Sequence, residues 1–379
     1  MTLQVQVINS ICSISPDIWN ALVVRSGGSV FHTYEWLHLH ESHSPGDFEP
    51  RHILIYDQDR LVAASPFYIY HYCPRVEYYR RKPGEITLPA NVPFLLSHSF
   101  AAFAGHPLYA QDHPASLSVL LEAVDELAHQ AGTPYYGFIG VPGSSPGLLE
   151  QLRKHEYDIR MLAGDNILPV RWKTFNAYLQ DLPRKQRHNV RNRLSHARCS
   201  GATFEWETES FPPMAIQDLV YAVLDRHSTP RSILPPPYLN GILNDLSRYL
   251  QISVVRSAEG QPIGIALGLV FNATYVFWIA GLNYDYLRQY QQSDFLYSNL
   301  IQHAIGKGFV ALDFGRSSYG FKSKYGFQVV PLFSALKTTE ERDRSLLQRW
   351  GQKLEEIELA KLKQALSTDF QPGELAIEG

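Results

Sequence analysis

Residues 250–281 read LQISVVRSAEGQPIGIALGLVFNATYVFWIAG. Three runs rich in β-branched and aromatic residues, Leu250 to Ser257, Pro262 to Phe271 and Thr274 to Gly281, are joined by Ala258-Glu259-Gly260 and Asn272-Ala273. Links this short bring each run back beside the one before it, so the stretch is expected to form an antiparallel meander. Ahead of it lie helical periodicities at Lys173 to Leu182, Arg184 to Arg198, Met214 to Arg226 and Leu239 to Leu246, with a strand pattern at Ala202 to Glu207. Behind it, Ser293 to Lys307 puts Leu296, Leu300, Ile301, Ala304 and Ile305 on one helical side. Short strands at Val310 to Phe314 and Val329 to Leu336 follow, then a charged amphipathic helix over 340–365.

The first half repeats this order of elements without repeating the sequence. A strand at residues 3–9 precedes a helix opened by Ser15-Pro16-Asp17, and Thr33 is placed to N-cap a second helix carrying Trp36 and Leu37. Arg51 to Tyr56 and Leu61 to Tyr72, split by Asp57-Gln58-Asp59-Arg60, read as a hairpin, and Cys73 to Pro114 as a long irregular, Pro- and Tyr-rich region. A helix over Leu117 to Gln130, a strand at Tyr135 to Val141, a helix from Ser145 and an extended segment from Arg160 complete the half. The expectation is an α/β (α+β) protein of two similar domains, 1–165 and 166–340, each a mixed, mostly antiparallel sheet flanked by helices, with a C-terminal helix and tail over 341–379.

The 379 residues allow two ordinary cores. No run reaches the roughly 20 apolar residues of a membrane span, and the N-terminus lacks the pattern of a signal peptide, so a cytoplasmic protein without an integral membrane segment is expected. Three scattered cysteines, Cys12, Cys73 and Cys199, suit neither a disulfide framework nor a zinc site, and the histidines show no metal-ligand spacing. Neither a metal nor a tightly bound cofactor is therefore expected. The charge is uneven. Between Arg171 and Arg198 eight Lys/Arg face one acid, Asp181, a net of +7 in a chain whose formal charge is −3. As a helix, Arg184 to Arg198 aligns Arg184, Arg187, Arg191 and Arg198 beside an apolar strip of Val190, Leu194 and Ala197, with Gly201 as C-cap. Arginine forks suit phosphate or carboxylate partners.

Two stretches carry a resemblance. Arg187-His188-Asn189-Val190-Arg191, in a helix ending at Gly201, looks like the basic helix of the FemABX-like transferases. Asp313-Phe314-Gly315-Arg316, then Gly320-Phe321-Lys322 and Tyr325-Gly326-Phe327, resembles the closing motif of that group, and Phe31 to Leu37 is similar to an aromatic helix near its start. The element order of the second half is that of a GNAT-type acyltransferase domain, a group that also takes in BioF2-like acetyltransferase domains. The resemblance implies two GNAT-like domains and transfer of an acyl group to an amine, forming an amide. The donor it implies is aminoacyl-tRNA, or acyl-CoA in broader relatives, so tRNA and an anionic small-molecule or peptide acceptor are the expected partners. The loop before Ser293 lacks the glycines of a pyrophosphate cradle, reading Arg288-Gln289-Tyr290-Gln291-Gln292-Ser293, which favours a donor other than acetyl-CoA.

Lys322 and Asp313 are the catalytic candidates, Lys322 as an oxyanion-stabilising or anion-binding cation and Asp313 as acceptor of the amine proton. Arg187, Arg191, Arg316 and Tyr325 are the substrate-binding candidates. Two other readings stand beside this one: an acyl-CoA-dependent N-acyltransferase acting on a small molecule or natural product, and a non-catalytic module binding nucleic acid or another anion through the +7 helix.

Overall fold

The computed structural model describes residues 3–207 and 211–366. The chain forms two units, one made of residues up to Gly164 together with those from Val330 onward, the other of Asp165–Val329. The division differs from the expected 166–340 and 341–379. The last strand and the C-terminal helix fold with the first unit, because periodicity reports that a segment is a strand or helix but not which sheet it joins.

In the first unit the elements are β1 (Gln4–Ile8), α1 (Pro16–Arg25), α2 (Tyr34–His43), β2 (Asp47–Pro50), β3 (His52–Asp57), β4 (Arg60–Ser65), β5 (Tyr68–Tyr72) and α3 (Pro74–Arg81). Then come β6 (Phe94–Leu96), β7 (Leu108–Tyr109), α4 (Ala115–Gln130), β8 (Tyr135–Pro142), α5 (Pro146–Lys154) and β9 (Asp158–Pro169). Prolines open α1, α3 and α5, where the missing N–H has no helical partner to lose. Thr33 caps α2 by accepting from the Trp36 N–H at 3.3 Å, and the Trp36 ring stands edge-on to Phe31.

Two sequence readings are corrected here. The run Leu61 to Tyr72 is two strands, since Pro66 interrupts the ladder: β4 pairs with β3 and β7, whereas β5 pairs with β2 and β6 in another sheet. The region from Cys73 to Pro114 contains α3, β6 and β7. The short β6 runs parallel to β8, with α4 between them in the chain.

The second unit continues with α6 (Phe175–Asp181), α7 (Arg184–Cys199), β10 (Thr203–Glu207), α8 (Pro213–Arg226), α9 (Pro236–Asp245), β11 (Leu250–Arg256), β12 (Pro262–Phe271) and β13 (Thr274–Leu282). It closes with α10 (Leu287–Tyr290), α11 (Gln292–Lys307), β14 (Ala311–Asp313) and α12 (Tyr319–Lys322). The strands β15 (Gln328–Thr338) and, after it, the helix α13 (Arg344–Leu366) lead back to the first unit. The expected meander is present: β10, β11, β12 and β13 pair antiparallel in turn. β14 adds parallel to β13, and the end of β9 pairs antiparallel with β14. Val190, Leu194 and Ala197 of α7 are buried against a core that includes Leu296, Leu300 and Ile301 of α11, so the apolar strip of the basic helix docks as its spacing requires.

Candidate functional site

The site grows from the way β13 and β14 separate. They pair only over Thr274–Val276 and Ala311–Asp313, after which β14 ends and β13 runs on to Leu282. Just past that point the register with β12 shifts: Leu267 lies opposite Ile279 and Gly268 opposite Phe277, which leaves Trp278 as the extra residue of a bulge. A parted pair of strands keeps main-chain donors and acceptors along the gap that a closed ladder would use up. Around it packs an aromatic cluster. Phe314 stacks on Phe277 at 4.9 Å between ring centres, and Tyr297 meets Phe314, Phe321 and Tyr325 at 4.7, 5.2 and 5.7 Å.

Asp313 ends β14, and the loop after it is contorted. Gly315, Ser317 and Ser318 have φ of 62°, 67° and 52°. Two successive serines in the left-handed region cost about 1–3 kcal/mol each and persist only where neighbours hold them. Two side chains do so. The Lys322 ammonium, 4 % exposed, donates to the carbonyls of Phe314, Gly315 and Arg316 at 2.5, 3.1 and 3.1 Å. The Asn166 amide donates to the carbonyls of Gly315 and Ser317 at 2.6 and 3.2 Å. Lys322 is thus turned inward, with all three of its N–H groups on main-chain oxygens.

Beneath the loop, the Asp313 carboxyl is hydrogen-bonded to that of Asp165 and also accepts the Gly315 N–H at 2.8 Å. Burial, then the Coulomb field of Asp165, pushes Asp313 well above the usual carboxylate range. Burial likewise raises Asp165, against the opposing pull of Arg316 and Lys322. Each carboxyl thus makes its neighbour harder to ionise, and the pair titrates as a unit. Burial lowers Lys322 to about 8 despite both aspartates. The motif residues Asp313, Arg316 and Lys322 are therefore brought together, with Asp165 and Asn166 as members the sequence reading missed. An Asp-Asn pair inside the apolar strand Met161 to Leu168 was the available signal.

The remaining candidates lie elsewhere in the unit. Tyr325 is 1 % exposed and its hydroxyl donates to Asp294 at 2.5 Å, while its carbonyl accepts from Tyr178. Asp294 also takes Arg193 at 2.5 Å, which joins α7 to the first turn of α11. Arg187 donates to the Gln180 carbonyl at 3.0 Å and Arg191 to the Asn176 side chain at 3.1 Å, so both reach back to α6 along the exposed rim of α7. Arg184, Lys185 and Arg198 point outward and form no ion pair among the described residues.

The turn into α11 is informative. Gln291 adopts φ 48°, ψ 40°, so the left-handed step is made without glycine. The Gln292 amide turns inward to the carbonyls of Ile263 and Asn283 at 3.1 and 2.5 Å. Asp294 supplies a carboxylate at the positive end of the helix. Among the described residues, no helix is long and apolar enough to cross a membrane, and no group of three or more His, Cys, Asp or Glu is arranged to hold a metal ion.

Comparison with known proteins agrees with this architecture. Residues 184–323 match the family model described as an acetyltransferase (GNAT) domain. No curated protein sequence matches the chain. Among solved structures, FemX is similar with a TM-score of 0.62 at 11% identity, over 87% of this chain and 96% of that one. The C-terminal domain of a putative lysylphosphatidylglycerol synthetase from Agrobacterium fabrum gives 0.55 at 16% identity, over 88% and 94% of the two chains. A tandem GNAT protein from the clavulanic acid biosynthesis pathway gives 0.52 at 10%, over 89% and 99%. Residues 184–323, with their parted β13 and β14, are a GNAT-type acyltransferase domain, carried in a chain that shares its fold with FemX and tandem GNAT proteins.

Proposed function

We propose that the second unit transfers an aminoacyl group from aminoacyl-tRNA to an amine acceptor, forming an amide at the gap between β13 and β14. The observation that carries the choice of donor is the first turn of α11. Its entry residue Gln291 keeps a Cβ where a pyrophosphate needs close backbone approach, and the Asp294 carboxylate already answers the helix's positive end. A second anion there would lie beside that carboxylate. The anion-binding capacity is found instead on α7, where Arg184, Lys185 and Arg198 face outward beside Arg187 and Arg191, as an RNA backbone would require. The putative lysylphosphatidylglycerol synthetase that shares this fold is named for a product carrying an aminoacyl group, the kind of group proposed to move here.

The chemistry asks little of the protein beyond position and proton handling, because an aminoacyl ester is already activated. The acceptor amine attacks the ester carbonyl; the C–N bond forms, the C–O bond breaks, and the ribose hydroxyl leaves. Main-chain N–H groups along the open edge of β13 stabilise the oxyanion. With one proton on the pair, favouring Asp313, Asp165 keeps the carboxylate: Asp313 gives its proton to the leaving oxygen and the pair recovers one from the attacking amine. Lys322 acts as a positioning residue: it fixes the loop 314–318 over the carboxyl pair, and its charge keeps that pair able to release a proton. Arg316, beside Asp165, adds a second positive charge. Arg187 and Arg191 take phosphates or an anionic acceptor, and Tyr325 holds α11 to the motif through Asp294.

The test is direct. The full chain is incubated with charged tRNA and a panel of amines, and separately with acyl-CoA. Product that needs charged tRNA and vanishes with ribonuclease supports the reading; turnover with acyl-CoA and none with charged tRNA refutes it. Replacing Arg184, Lys185 and Arg198 with alanine should flatten the salt dependence of tRNA binding by about 0.7–0.9 in log–log slope for each phosphate that these side chains neutralise.

A further inference from the structure

We propose that the first unit holds a second ligand site, an apolar slot that takes a carboxylate bearing a short alkyl tail. The slot opens where β6 and β8 part. Their parallel pairing covers only Phe94–Leu96 and Tyr135–Gly137, and the next residues on each strand are spread by Ser97. The Ser97 hydroxyl accepts the Ile139 N–H at 3.3 Å and donates to the Gly105 carbonyl. Beyond this wedge Val76, Phe94, Leu96, Ile139, Leu162 and Trp350 surround an empty space. The space open to the centres of water-sized spheres is about 40 Å³, comparable to roughly three waters. Its walls are almost wholly apolar, so water gains little by entering, whereas a chain of a few methylenes would fill it. Ile139 retains partial accessibility in mid-strand between buried neighbours, as a side chain facing unfilled space does.

The charged members of the lining determine the head group, and they are two arginines, Arg75 and Arg80. Arg80 is already neutralised, its guanidinium paired with both oxygens of Glu77 and donating to the Leu88 carbonyl. Arg75 is partly exposed, and its partners among the described residues are neutral: it lies 5.1 Å from the Tyr79 ring centre and donates to the Tyr79 hydroxyl at 3.2 Å. A partly exposed, uncompensated guanidinium bordering an apolar slot matches a monoanionic carboxylate, which it can hold with two parallel hydrogen bonds.

Calorimetric titration of the full chain with hexanoate, hexanol and hexylamine tests the assignment without calling on turnover, so it stands or falls apart from the proposed transfer reaction. Hexanoate should bind saturably and about tenfold more tightly than hexanol, the contribution of one charge-assisted pair. Arg75→Ala should abolish that difference, and Val76→Trp, which fills the slot, should remove binding of both. If Val76→Trp lowers the melting temperature, Ile139→Phe provides the same block from the opposite wall. Absence of saturable hexanoate binding overturns the proposal, as does binding that survives both blocking substitutions or hexylamine binding as tight as hexanoate.

Discussion

Replacing Lys322 with methionine removes a buried cation while keeping most of its apolar stem. Two effects oppose each other in the folded protein. The ammonium is held at about 8 against an ordinary 10.5, so keeping it charged at neutral pH costs about 3 kcal/mol, which methionine recovers. Against this, the carbonyls of Phe314 and Arg316 lose a donor, while that of Gly315 keeps the Asn166 amide. Two carbonyls left short cost about 1–3 kcal/mol each. The net change in stability is small, between about 1 kcal/mol of stabilisation and about 3 kcal/mol of destabilisation, and the variant should fold. Its electrostatic consequence is larger. Lys322 pulls both Asp165 and Asp313 downward, and removing a neighbouring opposite charge raises a carboxyl by about 1–3 pH units. The pair then holds both protons to higher pH and loses its capacity to take the amine proton. Single-turnover rates between acid and mildly alkaline pH should show the acid limb displaced upward by at least about one unit. Melting temperatures measured alongside should stay close to those of the parent. Lys322→Arg, which keeps the charge, should move the limb less. An unshifted profile with an unchanged rate in Lys322→Met would refute the coupling between Lys322 and the carboxyl pair.

Asp294→Ala should destabilise the second unit by about 1–3 kcal/mol, because it leaves the buried Tyr325 hydroxyl without its acceptor while the partly exposed Arg193 turns to water; urea unfolding measures this, and a change below about 0.5 kcal/mol would contradict it. Gln291→Gly relieves a left-handed non-glycine residue and should raise stability by about 0.5–1 kcal/mol, read from the same unfolding curves. The first unit should be acid-sensitive. Burial lowers His40 to about 3 and His106 to about 4. Their folded values lie below the unfolded 6.5, so the stability they contribute is present above 6.5 and is lost as the pH falls toward 4 and 3. At pH 5 the loss is about 2 kcal/mol for each histidine, visible as a falling melting temperature between pH 7 and 5. Replacing His40 with phenylalanine should flatten that fall if the variant folds.

Much of the architecture was legible because local chemistry decided it. The meander of residues 250–281 closes on links too short for any other pairing, and α7 docks by Val190, Leu194 and Ala197 whatever its arginines do. Prolines and Thr33 marked helix starts through constraints that act within one turn. The motif residues Asp313, Arg316 and Lys322 were also found from the sequence, being close together along the chain. What the sequence could not supply was partnership over distance. Asp165 lies some 150 positions before Asp313, and nothing in the apolar stretch around it says that β9 will pair with β14 and put the two carboxyls in contact. Nor could it show that Lys322 turns inward to main-chain carbonyls, or that Arg193 and Tyr325 meet on Asp294. Those outcomes depend on strand order and on where buried polar groups find donors, quantities fixed only when the whole sheet is assembled. The charge of α7 and the presence of the motif were properties of the sequence; the protonation of the carboxyl pair, and with it the proposed chemistry, belongs to the tertiary structure, because burial and proximity set a pKa and neither is a local property.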